Sequence, residues 1–137
     1  MEVMIREYNK NDFSDVNDIL VEAFLTKKKE VPTDNFFEVV AEVDKKVVGY
    51  LLLTRVLNPI KDRYYFLVDY VCVSKEYRNL GIGKKMLDYA YKVAKKNDAI
   101  YLQLTCGYFR KAAHKLYESC GYKIKESDLY RKDVIWY

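Results

Sequence analysis

The spacing of apolar residues changes near residue 74, and this change limits the folds open to the chain. Before it, apart from one run of helical spacing at 13–24, apolar and polar residues alternate in runs typical of β-strands. After it, apolar residues recur at the spacing of amphipathic helices, with a strand between them. A chain that passes from paired strands to alternating strands and helices builds a sheet with helices packed on it. The parallel part of the sheet is expected where strand and helix alternate.

The first half of the chain predicts four strands and one helix. The polar turn Asp44-Lys45-Lys46 separates two alternating runs and predicts an antiparallel hairpin, and Asp12 is the candidate N-cap of the helix. In order, the predicted elements are a strand at 3–8, a helix at 13–24, a hairpin of 37–43 and 47–54, and a strand at 64–73.

The second half predicts two helices and three strands. Gly121 is the expected C-terminal cap of the second helix. The predicted elements are a helix around 86–94, a strand at 100–105, a helix around 112–120, and strands at 122–124 and 129–135. The expected fold class is therefore α/β (α+β), with a mixed central sheet of about six to seven strands flanked by helices.

Length and composition set the class of protein. A chain of 137 residues without a Gly/Ser linker or an internal repeat predicts one domain, residues 1–137. No apolar run approaches the roughly 20 residues of a membrane span, and the N-terminus lacks the pattern of a signal peptide. Three cysteines without CxxC spacing and one histidine predict neither a disulfide framework nor a metal site. We expect a cytoplasmic protein with no membrane partner.

A strand that runs through a basic, glycine-containing turn into a helix is the most informative segment, residues 73–85. Backbone N–H groups at a helix N-terminus bind phosphate, and Gly81 and Gly83 lack the Cβ atoms that would hold a ligand away. Lys84 and Lys85 would oppose the helix dipole unless an anion lay between them, and Arg78 adds a third positive charge. The segment predicts an anion site.

Two well-known phosphate motifs do not fit this segment. A P-loop needs glycine at position 78 and Ser or Thr at position 85, where the chain has Arg78 and Lys85. A dinucleotide fingerprint needs glycine at position 86, which is Met86. An ordinary solvated glycine turn remains the alternative. The mild net charge of +4 does not predict a nucleic-acid partner.

Two motifs resemble the GNAT superfamily of N-acetyltransferases, which transfer acetyl from acetyl-coenzyme A to an amine. The run Arg78-Asn79-Leu80-Gly81-Ile82-Gly83 resembles that family's pyrophosphate loop, R/Q-x-x-G-x-G/A. The run Arg110-Lys111-Ala112-Ala113-His114-Lys115-Leu116-Tyr117-Glu118-Ser119-Cys120-Gly121-Tyr122 is similar to its A-x-x-L/F-Y-x-x-x-G-F/Y segment. Together they cover about the last half of the chain.

The resemblance implies acetyl-coenzyme A as cosubstrate and no metal. It assigns the pyrophosphate to residues 78–83 with Lys84 and Lys85, and the pantetheine arm to the backbone of Val71, Cys72 and Val73, where two parallel strands splay. Arg110 stands where asparagine often begins the last helix, and it could instead meet a cofactor phosphate.

The resemblance also suggests catalytic residues. Tyr117 matches the family's helix tyrosine and would donate a proton to the departing thiolate, because a tyrosine stays protonated at neutral pH. Asp69 is the candidate base, since it is expected to share an apolar strand face with Leu67, Val71 and Val73, which would raise its pKa. The alternative for Tyr117 is a role in packing its helix. The alternatives for Asp69 are an ion pair with a neighbouring lysine or the capping of a β-bulge. A water chain to the amine would need no dedicated base.

Two further reactive side chains receive structural interpretations. His114 lies one helical turn before Tyr117, but pairing with Glu118 at i+4 is favoured over a proton shuttle. Cys106 follows a strand, and a core position is favoured over nucleophilic catalysis.

The acceptor site is expected on the side opposite the cofactor, with Phe24 and Tyr70 as substrate-binding residues and residues 24–37 and 58–64 as variable loops. Tyr64, Tyr65 and Tyr70 with Asp69 could hold the cation of a small-molecule or peptide amine, or could simply pack the sheet. The rival function is a non-catalytic module that binds coenzyme A or RNA. A C-terminal strand ending Ile135-Trp136-Tyr137 could pair two copies of the chain.

Overall fold

The computed structural model describes residues 1–135. Within that range the elements follow the order strand, helix, three strands, helix, strand, helix. Their bounds are β1 Val3–Glu7, α1 Phe13–Phe24, β2 Phe36–Val43, β3 Lys46–Asn58, β4 Arg63–Val73, α2 Ile82–Lys96, β5 Leu102–Gln103 and α3 Lys111–Ser119. Short 3₁₀ turns precede α1 at Lys10–Asp12 and follow β4 at Lys75–Tyr77.

The strands of residues 1–135 form one mixed sheet in the order β1-β2-β3-β4-β5. The first three pairings are antiparallel, and β4 pairs with β5 in parallel. Asp44 and Lys45, both with positive φ, form the turn of the predicted β2–β3 hairpin. Backbone twist of this kind matches the twist of the strands it joins, which explains the tight connection.

The two faces of the sheet bury separate apolar clusters. Alternate residues of β2 point to opposite faces, so Val39 joins the cluster under α2 and Val40 the cluster under α1. The α2 cluster is the larger one and includes the fully buried Leu51 and Phe66. Because β2, β3 and β4 contribute to both clusters, each helix is fixed to the same central strands.

The predicted cap of α1 is wrong in its chemistry. The Asp12 carboxylate makes no cap hydrogen bond to α1 and instead receives two bonds of 2.8 Å from Arg6. It also accepts from the Asn9 amide at 2.8 Å. Arg6 further donates to Glu42 at 2.9 Å, and the carboxylates raise the pKa of its guanidinium. The buried Asp12 therefore joins α1 to β1 and β2 through an ion pair.

The expected number of about six to seven strands is wrong for the described part of the chain, which has five. Neither 122–124 nor 129–135 forms a strand, and Ile124 and Leu129 are exposed. The available edge is short, because β5 contains two residues instead of the predicted 100–105. Part of the predicted interchain strand, Trp136 and Tyr137, lies outside the described residues, and that pairing stays a prediction.

Candidate active site

A cavity of about 300 Å³ lies where β4 and β5 separate. The two strands pair at Phe66 with Leu102 and at Leu67 with Gln103, after which β4 continues to Val73 without β5 beside it. The pairing of the two parallel strands thus ends at the place where a splay is predicted. The cavity is lined by Phe24, Val68, Asp69, Tyr70, Val71, Leu104, Thr105, Arg110 and Tyr117.

The cavity brings together residues that the sequence distributes over four segments. Six predicted site residues line it: Phe24, Asp69, Tyr70, Val71, Arg110 and Tyr117. Val68, Leu104 and Thr105 also line it and were not predicted. The signal that could have found the last two is their place in the predicted strand 100–105, directly opposite the part of β4 expected to splay.

Tyr117 enters the cavity from α3 and is half-buried. Its ring meets Tyr122 edge to face, with centroids 6.0 Å apart. Burial raises the pKa of the Tyr117 hydroxyl above its ordinary value, the Cys106 thiol adds to the rise, and Arg110 opposes it. A hydroxyl with a raised pKa keeps its proton at neutral pH and can donate it.

Asp69 lines the cavity, but the face predicted for it is wrong. In β4, Tyr70 and Val71 together lie opposite Leu51, so the strand contains a β-bulge. Tyr70 takes the left-handed conformation at φ 55°. The bulge turns Val71 and Val73 toward the α2 cluster, whereas Asp69 lies opposite Leu52, on the α1 face. Partial burial of the carboxyl still raises the pKa of Asp69.

The backbone of β4 beyond the bulge has one free edge. Ser74 N donates to Val48 O of β3 at 2.8 Å, and hydrogen bonds alternate between the two edges of a strand. The amides of Val71 and Val73 therefore face the open side, where an extended ligand could pair with them. Cys72 faces β3 instead, and its buried side chain belongs to the α1 cluster, so it does not lie on that edge.

The N-terminus of α2 follows this edge directly. Gly81 adopts φ +79°, and the first closed bond of the helix runs from Lys85 N to Gly81 O at 3.2 Å. The amides of Ile82, Gly83 and Lys84 precede that bond and have no carbonyl of the helix to accept from them. Lys84 and Lys85 are exposed beside these amides. The arrangement suits an anion.

The remaining residues of the turn take different positions. Asn79 has φ 64°, and residues 78–81 are all exposed. Arg78 Nε donates to Val73 O at 3.1 Å, which ties the guanidinium to the end of β4. The reason predicted for Gly83 is incomplete, because a Cβ on it would lie 3.1 Å from Leu116 Cδ2 of α3. Gly83 thus permits close packing of α2 against α3.

His114 and Cys106 do not line the cavity. His114 Nε2 lies 2.9 Å from the Gly107 carbonyl, and the predicted contact with Glu118 is absent from residues 1–135. Cys106 is half-buried, and the residues that follow it, 107–112, are exposed.

A second, more open groove lies at the far end of β4. Its volume is about 650 Å³, and its lining residues are Arg55, Asp62, Arg63, Tyr64, Lys96, Asn97 and Asp98. Tyr64 faces this groove under Arg55, and Tyr65 stacks on Tyr101 with centroids 5.0 Å apart. The expected grouping of Tyr64 and Tyr65 with Asp69 is therefore wrong. Only Tyr70 stays beside Asp69, where its ring meets Phe24 at 5.4 Å.

Within residues 1–135, no helix combines the length and the hydropathy that a membrane crossing requires. In the same range, no three His, Cys, Asp or Glu side chains converge as ligands for a metal ion.

Comparisons with known proteins agree with this architecture. An acetyltransferase from Trypanosoma brucei has a TM-score of 0.79 and 17% identity, over 97% of this chain and 100% of that one. An aminoglycoside acetyltransferase from an uncultured soil metagenomic sample has a TM-score of 0.83 and 17% identity, over 98% of this chain and 97% of that one. A ribosomal-protein-alanine N-acetyltransferase from Brucella melitensis biovar Abortus 2308 has a TM-score of 0.77 and 20% identity, over 100% of both chains. At these identities the likeness shows the fold.

The search of curated protein sequences returned no match. The family comparison is decisive for the chain itself, because residues 2–122 match the acetyltransferase (GNAT) family. That range contains the pyrophosphate-loop motif, the splayed strands and the tyrosine of α3. The chain belongs to the GNAT family of acetyltransferases, which are acyltransferase enzymes that use acetyl-coenzyme A.

Proposed function

We propose that residues 1–137 act as one N-acetyltransferase domain that moves acetyl directly from acetyl-coenzyme A to a primary amine of a small molecule or peptide. One observation carries this proposal: the cavity at the splay places Tyr117 and Asp69 beside the open edge of β4. That edge leads to the free amides at the start of α2. A carrier arm and an anionic group would thus be held along one continuous path.

The residues of this path fit acetyl-coenzyme A. The amides of Val71 and Val73, which face the open side of β4, suit the amide-containing pantetheine arm, and the α2 N-terminus with Lys84 and Lys85 suits the pyrophosphate. Arg110 lines the cavity rather than the α2 turn, which favours a contact near the acetyl end over a contact with a distant phosphate. When bound, acetyl-coenzyme A supplies an acetyl group activated as a thioester.

Tyr117 and Asp69 divide the two proton movements. In this proposal Asp69 accepts the proton that the amine loses, which is supported by a raised pKa that increases its basicity toward neutral pH. Tyr117 delivers a proton from Oη to the sulfur that leaves, which is supported by the burial that keeps that hydroxyl protonated. Direct transfer needs no enzyme nucleophile, and Cys106 is not part of the cavity lining.

The amine acceptor would enter from the α1 side. Phe24 and Tyr70 form an edge-to-face aromatic pair on the cavity wall, next to the Asp69 carboxyl. An aromatic wall with a carboxyl suits an amine that arrives as a cation and must lose a proton. The similar structures include enzymes named for aminoglycosides and for a ribosomal-protein alanine, and both classes of amine belong in a first substrate panel.

The cellular setting and the rival function bear on this proposal. Free thiols at Cys72, Cys106 and Cys120 suit a reducing compartment, which supports the cytoplasm as the place of the reaction.

The rival, a module that binds coenzyme A or RNA without turnover, is weakened by one observation. Lys28, the central lysine of the 27–29 triplet, has a buried side chain and does not extend a basic surface.

The test is release of free thiol from acetyl-coenzyme A in the presence of a panel of primary amines, with mass spectrometry of the products. Calorimetry with acetyl-coenzyme A alone runs beside it. Turnover with at least one amine and an N-acetylated product supports the proposal. Binding without turnover on a broad panel favours the rival module, and absence of binding contradicts the assignment of the α2 turn.

A further inference from the structure

The loop between α1 and β2, residues 25–35, contains neither helix nor strand. It includes three consecutive lysines, of which Lys27 and Lys29 are exposed. Lys28 differs, because only 7% of its side chain is exposed. Ordering a long side chain and removing its charge from water both cost free energy, so this lysine needs specific partners.

Four side chains lie near the Lys28 ammonium. Glu30 belongs to the loop itself, and its Oε2 is 3.9 Å from Nζ. The other three we name the ammonium cage: Tyr8, Phe13 and Glu38. Nζ lies 3.2 Å from Glu38 Oε2, without the alignment of a hydrogen bond. It lies 4.2 Å from the ring centroid of Tyr8 and 5.3 Å from that of Phe13. Aromatic faces with a carboxylate form a recognised binding site for a cation.

The carboxylate of the cage is itself held in place. The Glu38 side chain is 8% exposed, and Tyr50 Oη donates to its Oε2 at 2.7 Å. Burial and this carboxylate raise the pKa of Tyr50, so its hydroxyl stays a donor at every physiological pH. The Glu38 carboxylate is thus held by a neighbouring strand, whereas its cation comes from the irregular loop.

Hydrogen bonds of Lys28 and Glu30 to residues outside the loop also hold the loop in place. Lys28 N donates to Asn17 Oδ1 of α1 at 2.7 Å, and Tyr8 Oη donates to Glu30 Oε1 at 2.8 Å. The far end of the loop is held separately, where Arg55 N donates to Asn35 O at 2.7 Å. A loop without regular structure depends on such contacts for its conformation.

The cage lies on the acceptor side of the sheet, close to the cavity. Glu38 pairs with Leu52, and Leu52 pairs with Asp69, so all three share the α1 face of neighbouring strands. At about 4.8 Å between strands, Glu38 and Asp69 are about 10 Å apart. The loop begins directly after Phe24, which lines the cavity and meets Tyr70.

We infer that Lys28 is a positioning residue: its ammonium in the cage fixes the loop 25–35 and thereby sets the Phe24–Tyr70 wall against which the amine acceptor binds. The consequence for the acceptor rests on the proposed function, whereas the cage and its effect on the loop do not. Loss of the ammonium releases the loop and the end of α1. The α2 turn, on the other side of the sheet, is left unchanged.

The first experiment measures hydrogen exchange in Lys28→Met, with Lys29→Met as the matched control from the same triplet. Exchange of residues 25–35 and of the α1 end is expected to be about tenfold faster in Lys28→Met, with α2 unchanged. Lys28→Arg keeps a cation that stacks on aromatic rings and is expected to restore most of the protection. Equal exchange in Lys28→Met and Lys29→Met would overturn the inference.

Removing Lys28 leaves the Glu38 carboxylate buried without its cation, and this alone could unfold the chain. The double variant Lys28→Met/Glu38→Gln removes both charges and keeps the shape. If it folds with the loop still released, the inference stands. If neutralising Glu38 restores the protection of the loop, the cage has no positioning role beyond charge balance and the inference fails.

A second experiment refills the cage from solution. In Lys28→Ala, n-butylammonium chloride is expected to raise Tm by about 2 °C or more relative to sodium chloride, with no such rise in the wild type or Lys29→Ala. The uncharged n-butanol serves as the control for the alkyl chain. Equal stabilisation of all three proteins, or none of Lys28→Ala, would show that no ammonium site exists.

The enzymatic consequence is a separate measurement. With the most active amine of the panel, Lys28→Met is expected to raise KM for that amine about tenfold, with little change in kcat or in acetyl-coenzyme A affinity. A fall in kcat with unchanged KM would contradict the positioning role. If no amine is turned over, the proposed function fails, while the exchange and refilling experiments still decide whether Lys28 fixes the loop.

Discussion

Among single side chains, Tyr117 is the proposed proton donor, and its replacement separates catalysis from binding. Tyr117→Phe removes the hydroxyl and keeps the ring, so kcat should fall about 10²-fold or more while acetyl-coenzyme A affinity stays the same. Steady-state rates and calorimetry measure the two quantities. Because burial raises the pKa of Tyr117, this donor should cause no loss of rate below about pH 10.

Tyr122→Phe is the matched control for that experiment. Tyr122 packs against Tyr117, does not line the cavity, and has a buried hydroxyl without a hydrogen-bond partner among the described residues. Its loss should leave kcat unchanged. An equal fall in both variants would indicate that the tyrosine pair packs α3 and that neither hydroxyl acts in the reaction.

Asp69→Asn should separate stability from activity. A carboxyl with a raised pKa in the folded state favours its protonated form there, so the wild type loses stability as pH rises from about 3.9 through the folded-state pKa. The amide side chain that replaces the carboxyl does not titrate. We therefore expect the stability of Asp69→Asn relative to the wild type to be greater at pH 7 than at pH 3, measured by urea unfolding, with a lower kcat/KM. A difference independent of pH would contradict this.

The face of Asp69 shows what residue-level prediction misses. Alternation of side chains correctly predicts a strand at 64–73, but it assumes that no residue is inserted. The bulge at Tyr70 and Val71 shifts the remainder of β4 to the opposite face. Tyrosine does not indicate the positive φ that the bulge requires, as glycine would have done. The raised pKa of Asp69 was predicted from the wrong neighbours.

Among the elements, α2 has lysines at both ends, and their removal is expected to change the stability of the chain in opposite directions. Lys84→Ala/Lys85→Ala removes cations that oppose the helix dipole, so the chain should become more stable by about 0.3 to 1 kcal/mol for each lysine removed. The same change should weaken acetyl-coenzyme A binding and reduce its dependence on salt. Thermal unfolding and calorimetry at two salt concentrations measure both effects.

Lys95→Ala/Lys96→Ala is the control at the other end of α2. These lysines lie in the last turn, where cations interact favourably with the dipole, so their loss should lower stability and leave acetyl-coenzyme A affinity unchanged. Equal loss of affinity in both double variants would mean that net charge, rather than the α2 N-terminus, attracts the cofactor.

The contact of α2 with α3 through Gly83 gives a double-mutant cycle. Alanine stabilises a helix by about 1 kcal/mol relative to glycine, but a Cβ at Gly83 meets Leu116 Cδ2 at 3.1 Å. Gly83→Ala should therefore gain little in the native chain and about 1 kcal/mol more in Leu116→Ala, measured by urea unfolding. An equal effect in both backgrounds would show that the packing restraint is absent.

The long elements were predicted, and so were the short β1 and α3, whereas the two strands predicted at 122–124 and 129–135 are absent from the described residues. The β2–β3 hairpin, α1 and α2 were predicted because each repeats its period over several turns or pairs. The segments 122–124 and 129–135 also alternate, but a strand needs a partner edge, and β5 is too short to provide one. Sequence alternation does not contain that information.

At the scale of the whole molecule, the site depends on where four segments meet. Six of the cavity residues were predicted, although Phe24, Asp69 and Tyr117 lie far apart in sequence. The resemblance supplied Val71, Arg110 and Tyr117, whereas Phe24, Asp69 and Tyr70 were predicted with the help of strand pattern, aromatic character and charge. Composition and periodicity do not predict the cavity itself, because a cavity between two strands has no local signature. The ammonium cage was not predicted for the same reason, since Phe13 lies in α1, Glu38 in β2 and Tyr8 directly after β1.

The shared central strands predict that both faces of the sheet unfold together. Cys72 is buried on the α1 face, and burial raises the pKa of its thiol to about 12, so it should resist thiol reagents until the sheet opens. Leu53 is fully buried on the opposite face. Leu53→Ala should destabilise the chain by about 2 to 5 kcal/mol and thereby increase the labelling rate of Cys72 about 30-fold or more.

The measurement uses a variant with Cys106→Ser and Cys120→Ser, so that Cys72 is the remaining thiol. Its labelling rate is compared with the free energy of unfolding from urea titration. Val16→Ala, on the same face as Cys72, is the control. If α1 opened locally, Val16→Ala would raise the labelling rate of Cys72 and Leu53→Ala would not. If both variants raise the rate by the factor that their unfolding free energies predict, the two clusters open as one unit. If Leu53→Ala leaves the labelling rate unchanged, the α1 face opens independently of the α2 face. In that case the position of the Phe24–Tyr70 wall relative to the α2 turn would be lost whenever the α1 face opens.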